Sequence, residues 1–187
     1  MNEPARDEAL MAEVAGGKYE SLETLIRRHA TPLLSFIHRM TGDYHHSEEL
    51  FQEVFLAVWC KRHRYEYPRP FKTWLYSIAV NRCRSHFRHG TLPTEPITEK
   101  DLPEPALRRN SPVTTAITAE RADIIAAAVA RLPELQRVVV VLRVWQQLSY
   151  AEIAQVLKQS EATVRSHMHR ALCALRGRLE GRLGEEV

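Results

Sequence analysis

Five of the ten prolines fall within twenty residues, at Pro93, Pro96, Pro103, Pro105 and Pro112, among Thr, Glu, Ser and Asn. Proline lacks an amide donor and pushes the residue before it away from helical backbone, so no helix runs through such a stretch. The cluster divides the chain: residues 1–89 and 116–187 are expected to fold as two small domains, with 90–115 an extended linker. A single compact domain would need a structureless loop of unusual length. Both flanks are patterned as helix. Leu22, Leu25 and Ile26, then Leu33, Leu34, Phe36, Ile37 and Met40, recur at helical spacing, and Thr31-Pro32 is expected to open a helix. Ser47 is expected to cap the next one, with Glu48 and Glu49 in its first turn. That helix carries Leu50, Phe51, Val54, Phe55, Val58 and Trp59, a stripe wider than one core face requires. After Pro68 and Pro70, a further apolar face comprises Phe71, Trp74, Leu75, Ile78 and Ala79. Val138 to Leu142 has strand propensity, but it continues the Leu135/Val138/Val139/Leu142 spacing behind Pro133 and reads as helix. The expected fold class is all-α.

Composition removes several classes of function. With 44% apolar residues and charges of both signs nearly balanced, the chain can build cores and is not disordered. The three cysteines, Cys60, Cys83 and Cys173, are odd in number and far apart, which argues against a disulfide scaffold. No run approaches the roughly 18 apolar residues of a membrane span, so no membrane insertion is expected. Residues 1–10 carry three acids and one arginine, the reverse of a secretory signal. The expectation is a reduced, cytoplasmic protein. There is no phosphate loop, dinucleotide fingerprint or nucleophile elbow, so neither catalysis nor a cofactor is expected. Cys83-x-x-His86-x-x-His89 suggests zinc, but its last ligand lies at a helix end and no fourth is fixed nearby, so no metal is expected either.

Two constellations remain. Ser149-Tyr150-Ala151-Glu152 is a capping box, opening a helix with Ile153, Ala154 and Leu157. Ser160 can cap a second helix with Val164, Met168, Ala171, Leu172, Leu175 and Leu179 on one face. Two short helices meeting at a small residue, Ala154, form the helix-turn-helix pattern. The outward face of the second helix offers Thr163, Arg165, Ser166, His169 and Arg170, the donors that major-groove reading and phosphate anchoring require. A basic face on an αα-hairpin that touches only solvent would look similar.

The other constellation is a reversal of charge. Thr41 to Cys60 holds four acids (Asp43, Glu48, Glu49, Glu53) and no Lys or Arg, whereas Lys61 to His89 holds eight bases and one acid, Glu66. The basic stretch interleaves Lys61, Arg62, Arg64, Arg69, Lys72, Arg82, Arg84 and Arg88 with Tyr65, Tyr67, Trp74, Tyr76 and Phe87. Such a mixture suits a phosphate backbone with bases that stack. On the wheel from Phe71, the residues opposite the Phe71/Leu75/Ile78 core are Thr73, Tyr76, Val80, Arg84 and Phe87, flanked by Ser77 and Arg88. Arg, Tyr and Ser there fit single-strand contact; a solvated face is the plainer alternative.

Glu48-Glu49-Leu50-Phe51-Gln52-Glu53-Val54-Phe55, then Phe71-Lys72-Thr73-Trp74-Leu75-Tyr76-Ser77-Ile78-Ala79 with Asn81, Cys83, Arg84 and Arg88, resembles region 2 of the sigma-70 family. Leu132-Pro133 with Arg137, Tyr150-Ala151-Glu152-Ile153-Ala154, Thr163-Val164-Arg165-Ser166 and Arg170-Ala171 resembles region 4, in the small extracytoplasmic-function (ECF) group in particular. The resemblance implies a region 2 bundle and a region 4 helix-turn-helix joined by the linker, in a promoter-specificity subunit of bacterial RNA polymerase without catalysis of its own. It implies docking on the coiled coil of the polymerase β′ subunit through Glu49, Leu50, Gln52, Glu53 and Phe55. It further implies capture of the −10 element by Lys61, Arg62, Arg64, Lys72, Tyr76, Asn81, Arg84 and Arg88, with a flipped base near the Lys61–Arg69 loop. The −35 element would be read through Ser160, Thr163, Arg165, Ser166, His169 and Arg170. Core polymerase (β′ coiled coil and β flap) and promoter DNA are the implied partners, and an anti-sigma factor is a further candidate.

The chain departs from the family pattern in places. Lys158 stands where a glycine usually follows the first helix of the helix-turn-helix, and a non-glycine residue in left-handed backbone costs about 1 kcal/mol. Ala162 replaces a second frequent glycine, and His167 and Leu172 stand where arginine is common. A dimeric helix-turn-helix regulator is the competing binding module, and it would need a self-complementary surface and palindromic DNA.

Overall fold

The computed structural model describes residues 5–89 and 112–183, and all of its regular elements are helices. The first module contains α1 (Asp7–Ala15), α2 (Tyr19–Thr41), α3 (Tyr44–Cys60), a short 3-10 turn at Arg62–Arg64, and α4 (Phe71–His89). The second contains α5 (Pro112–Ala130), α6 (Glu134–Val144), α7 (Tyr150–Leu157) and α8 (Glu161–Leu183). Residues 90–111, most of the expected linker, lie outside the described residues. Its last positions, 112–115, belong to α5, which starts at Pro112. Proline suits the first helical position, where an amide would have no intrahelical partner.

Amphipathic spacing explains the first core. Leu25, Leu33, Phe36 and Ile37 of α2, Val54 and Val58 of α3, and Phe71, Leu75 and Ala79 of α4 are fully buried. The structure corrects two expected boundaries. Pro32 sits inside α2, because apolar residues on both sides of it hold the helix continuous against the loss of one backbone bond. Asp43, not Ser47, caps α3: its carboxylate accepts from the His46 amide at 2.9 Å. Ser47 is buried one turn in, where its hydroxyl donates to the Asp43 carbonyl.

Helix α1 has no counterpart in the sequence reading. Leu10, Met11 and Val14 bury its inner face, and its acids hold it to α2 and α4. Asp7 accepts from the Arg28 guanidinium at 2.7 Å and pairs with His29 at 2.7 Å, while Arg28 also donates to the Ala5 carbonyl. The Glu8 carboxylate accepts from the Phe71 amide at 3.2 Å, a negative group at the positive end of α4. Burial pushes the Asp7 carboxyl up, but the hydrogen bonds from Arg28 and His29 outweigh it and hold it below its ordinary value. A carboxylate depressed in the folded state stabilises the fold above the ordinary carboxylate range, and loses that effect as pH falls through its folded value. Asp7→Asn is therefore expected to lower the thermal midpoint at neutral pH, with the gap to wild type closing as pH falls below the ordinary carboxylate range. An equal gap at neutral and at acid pH would show that the carboxylate's charge is not what holds α1.

The two modules pack face to face, α7 along α4 and α6 against α2. Gln146, in the turn between α6 and α7, is 4% exposed and enters the first module. Its side-chain oxygen accepts from the Tyr76 hydroxyl, its amide nitrogen donates to the Pro32 carbonyl at 3.1 Å, and its backbone carbonyl accepts from Lys72 Nζ at 2.6 Å. Around it, Arg39 lies 4.3 Å over the Trp145 ring, Arg84 pairs with Glu134 at 2.8 Å, and Arg137 faces the Phe87 ring at 5.4 Å.

Candidate nucleic-acid interface

The α7–α8 pair is built from its caps inward. Ser149 Oγ accepts from the Glu152 amide at 3.2 Å, and Glu152 accepts from the Ser149 amide at 2.7 Å, completing the capping box. The Ser149 hydroxyl, which donates to the carboxylate at 2.6 Å, and the Ser149 amide together hold the Glu152 carboxyl below its ordinary value. Ile153, Ala154, Val156 and Leu157 are buried, as are Val164, Met168 and Ala171 of α8. Between the helices Lys158 adopts φ 53°, ψ 45°, the left-handed conformation expected where glycine is usual. Its side chain is exposed, so only the backbone bears the cost. Lys158→Gly is expected to stabilise the protein by about 1 kcal/mol, raising the thermal midpoint by about 2–4 °C. A lowered midpoint would mean that the lysine side chain contributes more than its backbone loses.

Ser160 Oγ accepts from the Thr163 amide at 3.1 Å and shares a hydroxyl contact with Thr163 at 2.8 Å, capping α8. Thr163, Arg165, Ser166, His169 and Arg170 all point to solvent along one side of α8. Arg165 is held in place by Glu161 one turn back and by the Tyr150 ring, 4.6 Å from its guanidinium carbon. One member of the expected inner face is misplaced: Leu172 is 52% exposed. It adjoins Ala171 in sequence, and the helix turns it past the edge of the buried stripe.

In the first module the expected polymerase-docking set separates by burial. Glu49, Gln52 and Glu53 are exposed, whereas Leu50 and Phe55 are 5% and 6% exposed and belong to the core. The exposed apolar residue of this face is Leu56, at 63%. It continues the Glu49, Gln52, Glu53 spacing by one helical step, a signal that a search for the wide apolar stripe passes over. Glu53 also reaches Arg82 of α4 at 3.5 Å.

The basic-aromatic set divides as well. Lys61, just before the 3-10 turn, and Arg64 within it are exposed, and Arg62 stacks 4.1 Å over the Trp59 ring while donating to the Trp59 carbonyl at 2.9 Å. Asn81 and Arg88 are exposed on α4. Lys72, Tyr76 and Arg84 instead face the second module through the contacts described above. Thr73 and Val80, expected on the same open face, are buried too. Helix α4 is thus covered on both sides, a result its own periodicity does not reveal. Cys83 lies in this buried layer with its thiol pushed up to about 12 by burial, a poor thiolate ligand. His86 packs against the His46 ring, centroids 4.8 Å apart.

Capped paired helices with an exposed polar and basic face on the second, beside a helical module with adjoining acidic and basic surfaces, define a helix-turn-helix nucleic-acid-binding protein. Residues 25–91 match the Sigma-70 region 2 family and residues 122–175 the Sigma-70, region 4 family. The chain is 32% identical to the ECF RNA polymerase sigma factor SigM of Mycobacterium tuberculosis, covering 96% of this chain and 87% of that one. It is 25% identical to the ECF sigma factor SigW of Bacillus subtilis, over 89% of this chain and 93% of that one. The structure of CnrH in complex with the cytosolic domain of CnrY has the same fold, with TM-score 0.72 at 24% identity over 94% of this chain and 98% of that one. RpoE of Bartonella quintana, solved with the anti-sigma factor NepR, superposes with TM-score 0.68 at 19% identity, over 84% and 96%. The chain belongs to the sigma-70 family of RNA polymerase sigma factors, in its ECF group. Its function is to direct RNA polymerase to promoters.

Proposed function

We propose that the two modules divide this work as the charge reversal suggests. Residues 1–89 act as region 2, 90–115 as the linker and 116–187 as region 4. The acidic stripe Glu49, Gln52 and Glu53, with Leu56 added and Leu50 and Phe55 supporting it from within, grips the polymerase β′ coiled coil. Lys61, Arg62, Arg64, Lys72, Tyr76, Asn81, Arg84 and Arg88 bind the −10 element, and Ser160, Thr163, Arg165, Ser166, His169 and Arg170 the −35 element. The protein performs no catalysis and works in the cytoplasm; no described helix is long and apolar enough to cross a membrane. Because RpoE was solved with the anti-sigma factor NepR, and CnrH with the cytosolic domain of CnrY, an anti-sigma factor is a further proposed partner.

The observation that carries this reading is the α8 face, which sets Arg165, Ser166, His169 and Arg170 in solvent over a buried Val164, Met168 and Ala171. Guanidinium and hydroxyl groups in the first turns of a recognition helix are suited to base edges and flanking phosphates. Run-off transcription on genomic fragments with purified core polymerase tests it. Discrete transcripts are expected only when the chain is added, while the free chain binds the same fragments weakly and with little selectivity. Tight binding of a palindrome by the isolated protein, with no transcripts, would overturn the proposal in favour of a dimeric regulator.

A further inference from the structure

Helix α1 precedes the residues that match region 2, which begin at 25, and none of its side chains belongs to a proposed binding surface. Its acids nevertheless converge on the loop that joins α3 to α4. Glu8 Oε1 accepts from the Phe71 amide at 3.2 Å, and that amide, the first of α4, has no partner inside its own helix. The Phe71 ring meets His29 at 5.2 Å and Tyr65 at 6.4 Å, both edge-on, and His29 in turn pairs with Asp7. Tyr65 is the inward residue of the loop: it is 7% exposed and 5.3 Å from the Trp74 ring, and its hydroxyl donates to the Arg69 carbonyl. Burial first, and then the Glu8 carboxylate, push its phenol up to about 12, so the hydroxyl keeps its proton at neutral pH. Helix α1 also packs on the 3-10 turn at Arg62–Arg64. Around this buried centre Lys61, Arg64, Tyr67 and Arg69 are exposed.

We propose that α1 is a positioning arm for this loop: Glu8, by fixing the first amide of α4, and Tyr65, by closing the chain onto Arg69, set the shape in which Lys61, Arg62 and Arg64 meet the −10 strand. This rests on the assignment of those three residues to the −10 element. Glu8 and Tyr65 touch no DNA themselves and act only through the loop. Its upstream end is tied to α3, where the Lys61 amide donates to the Ala57 carbonyl at 2.9 Å and Arg62 stacks on Trp59. Its downstream end depends on the Glu8 bond across to α1. A loop tied at both ends is already ordered when a strand arrives, whereas one tied at a single end loses more entropy on binding. The loss falls on base discrimination first, because contacts to base edges carry the sequence information and contacts to phosphate do not.

Selection by holoenzyme tests the arm. Core polymerase with the full chain is offered fork-junction DNAs whose −35 and −10 segments are both randomised, and the bound DNA is sequenced. Wild type is expected to enrich particular bases in both segments. Glu8→Ala is expected to flatten the −10 enrichment about fivefold and to leave the −35 enrichment as it was. Glu8→Gln keeps an acceptor oxygen for the Phe71 amide and is expected to restore most of the loss. Tyr65→Phe keeps the buried ring and removes only the hydroxyl, so it probes the same loop without touching α1, and it too is expected to flatten the −10 enrichment alone. Unchanged −10 enrichment in either Glu8→Ala or Tyr65→Phe would overturn the arm. Equal losses at −10 and −35 would do the same, since they mark a general loss of fold, as would a Glu8→Gln holoenzyme as flat as Glu8→Ala. A wild type that selects bases at −35 and none at −10 would instead sink the assignment of the loop to the −10 element, whatever the variants do.

Discussion

Alanine at Arg165 or at Arg170 should each weaken initiation at promoters that depend on a −35 element by about 1–3 kcal/mol, roughly 5- to 150-fold, if the side chain reads base edges. Both residues are exposed on α8, five positions and about 7.5 Å apart along the axis, on either side of Ser166 and His169. Arg165 is expected to show the larger effect. Glu161 and the Tyr150 ring already restrict its guanidinium, so less side-chain entropy is lost when DNA binds. The comparison that decides the role is between matched and altered −35 sequences. A base contact relaxes discrimination at one position, whereas a phosphate contact weakens all sequences alike and lowers the salt dependence by about one charge. Unchanged promoter preference and unchanged strength in both variants would remove these residues from the −35 surface.

The second large effect is on stability. Phe36→Ala should cost about 3–5 kcal/mol, a large part of the roughly 5–15 kcal/mol that holds a domain together. Phe36 is fully buried, with its ring 5.2 Å from Tyr76 in an edge-to-face contact, so truncation leaves a cavity between α2 and α4, beside the Gln146 turn. Leu172→Ala is the control. Its side chain is 52% exposed, and surface changes of that kind stay within about 0.5 kcal/mol. Urea unfolding of both variants checks the pair; equal losses would mean that Leu172 is buried in solution after all.

Elements whose signal is local are legible in the sequence. Ser149 and Glu152 lie within one turn of each other, and Lys158 announces its backbone by the residue it replaces. Charge along Thr41–His89 was legible for the same reason. Features set by distant chain were not. Asp43 displaced Ser47 as a cap because Ser47 is needed inside the bundle, and α1 was missed because its three inward residues, Leu10, Met11 and Val14, form too short a stripe to stand out. The faces of α4 show the limit most clearly. Thr73, Tyr76 and Arg84 read as a polar surface facing solvent, and their period cannot distinguish water from a second module. Only the tertiary fold brings Gln146, seventy residues along the chain, to Tyr76.

Gln146 carries no charge, and that separates two dependences on ionic strength. Hydrogen bonds of a buried neutral amide are scarcely screened by salt, while contacts to phosphate lose strength steeply as counterions compete. The Arg84–Glu134 pair is partly exposed and fades with them. The Gln146 hydrogen bonds to Tyr76 and Pro32 should therefore change little across a salt titration in which contacts to phosphate weaken by orders of magnitude. A cell that alters its internal ion content would tune how firmly the protein holds a promoter, and leave almost untouched the buried amide that joins the two modules.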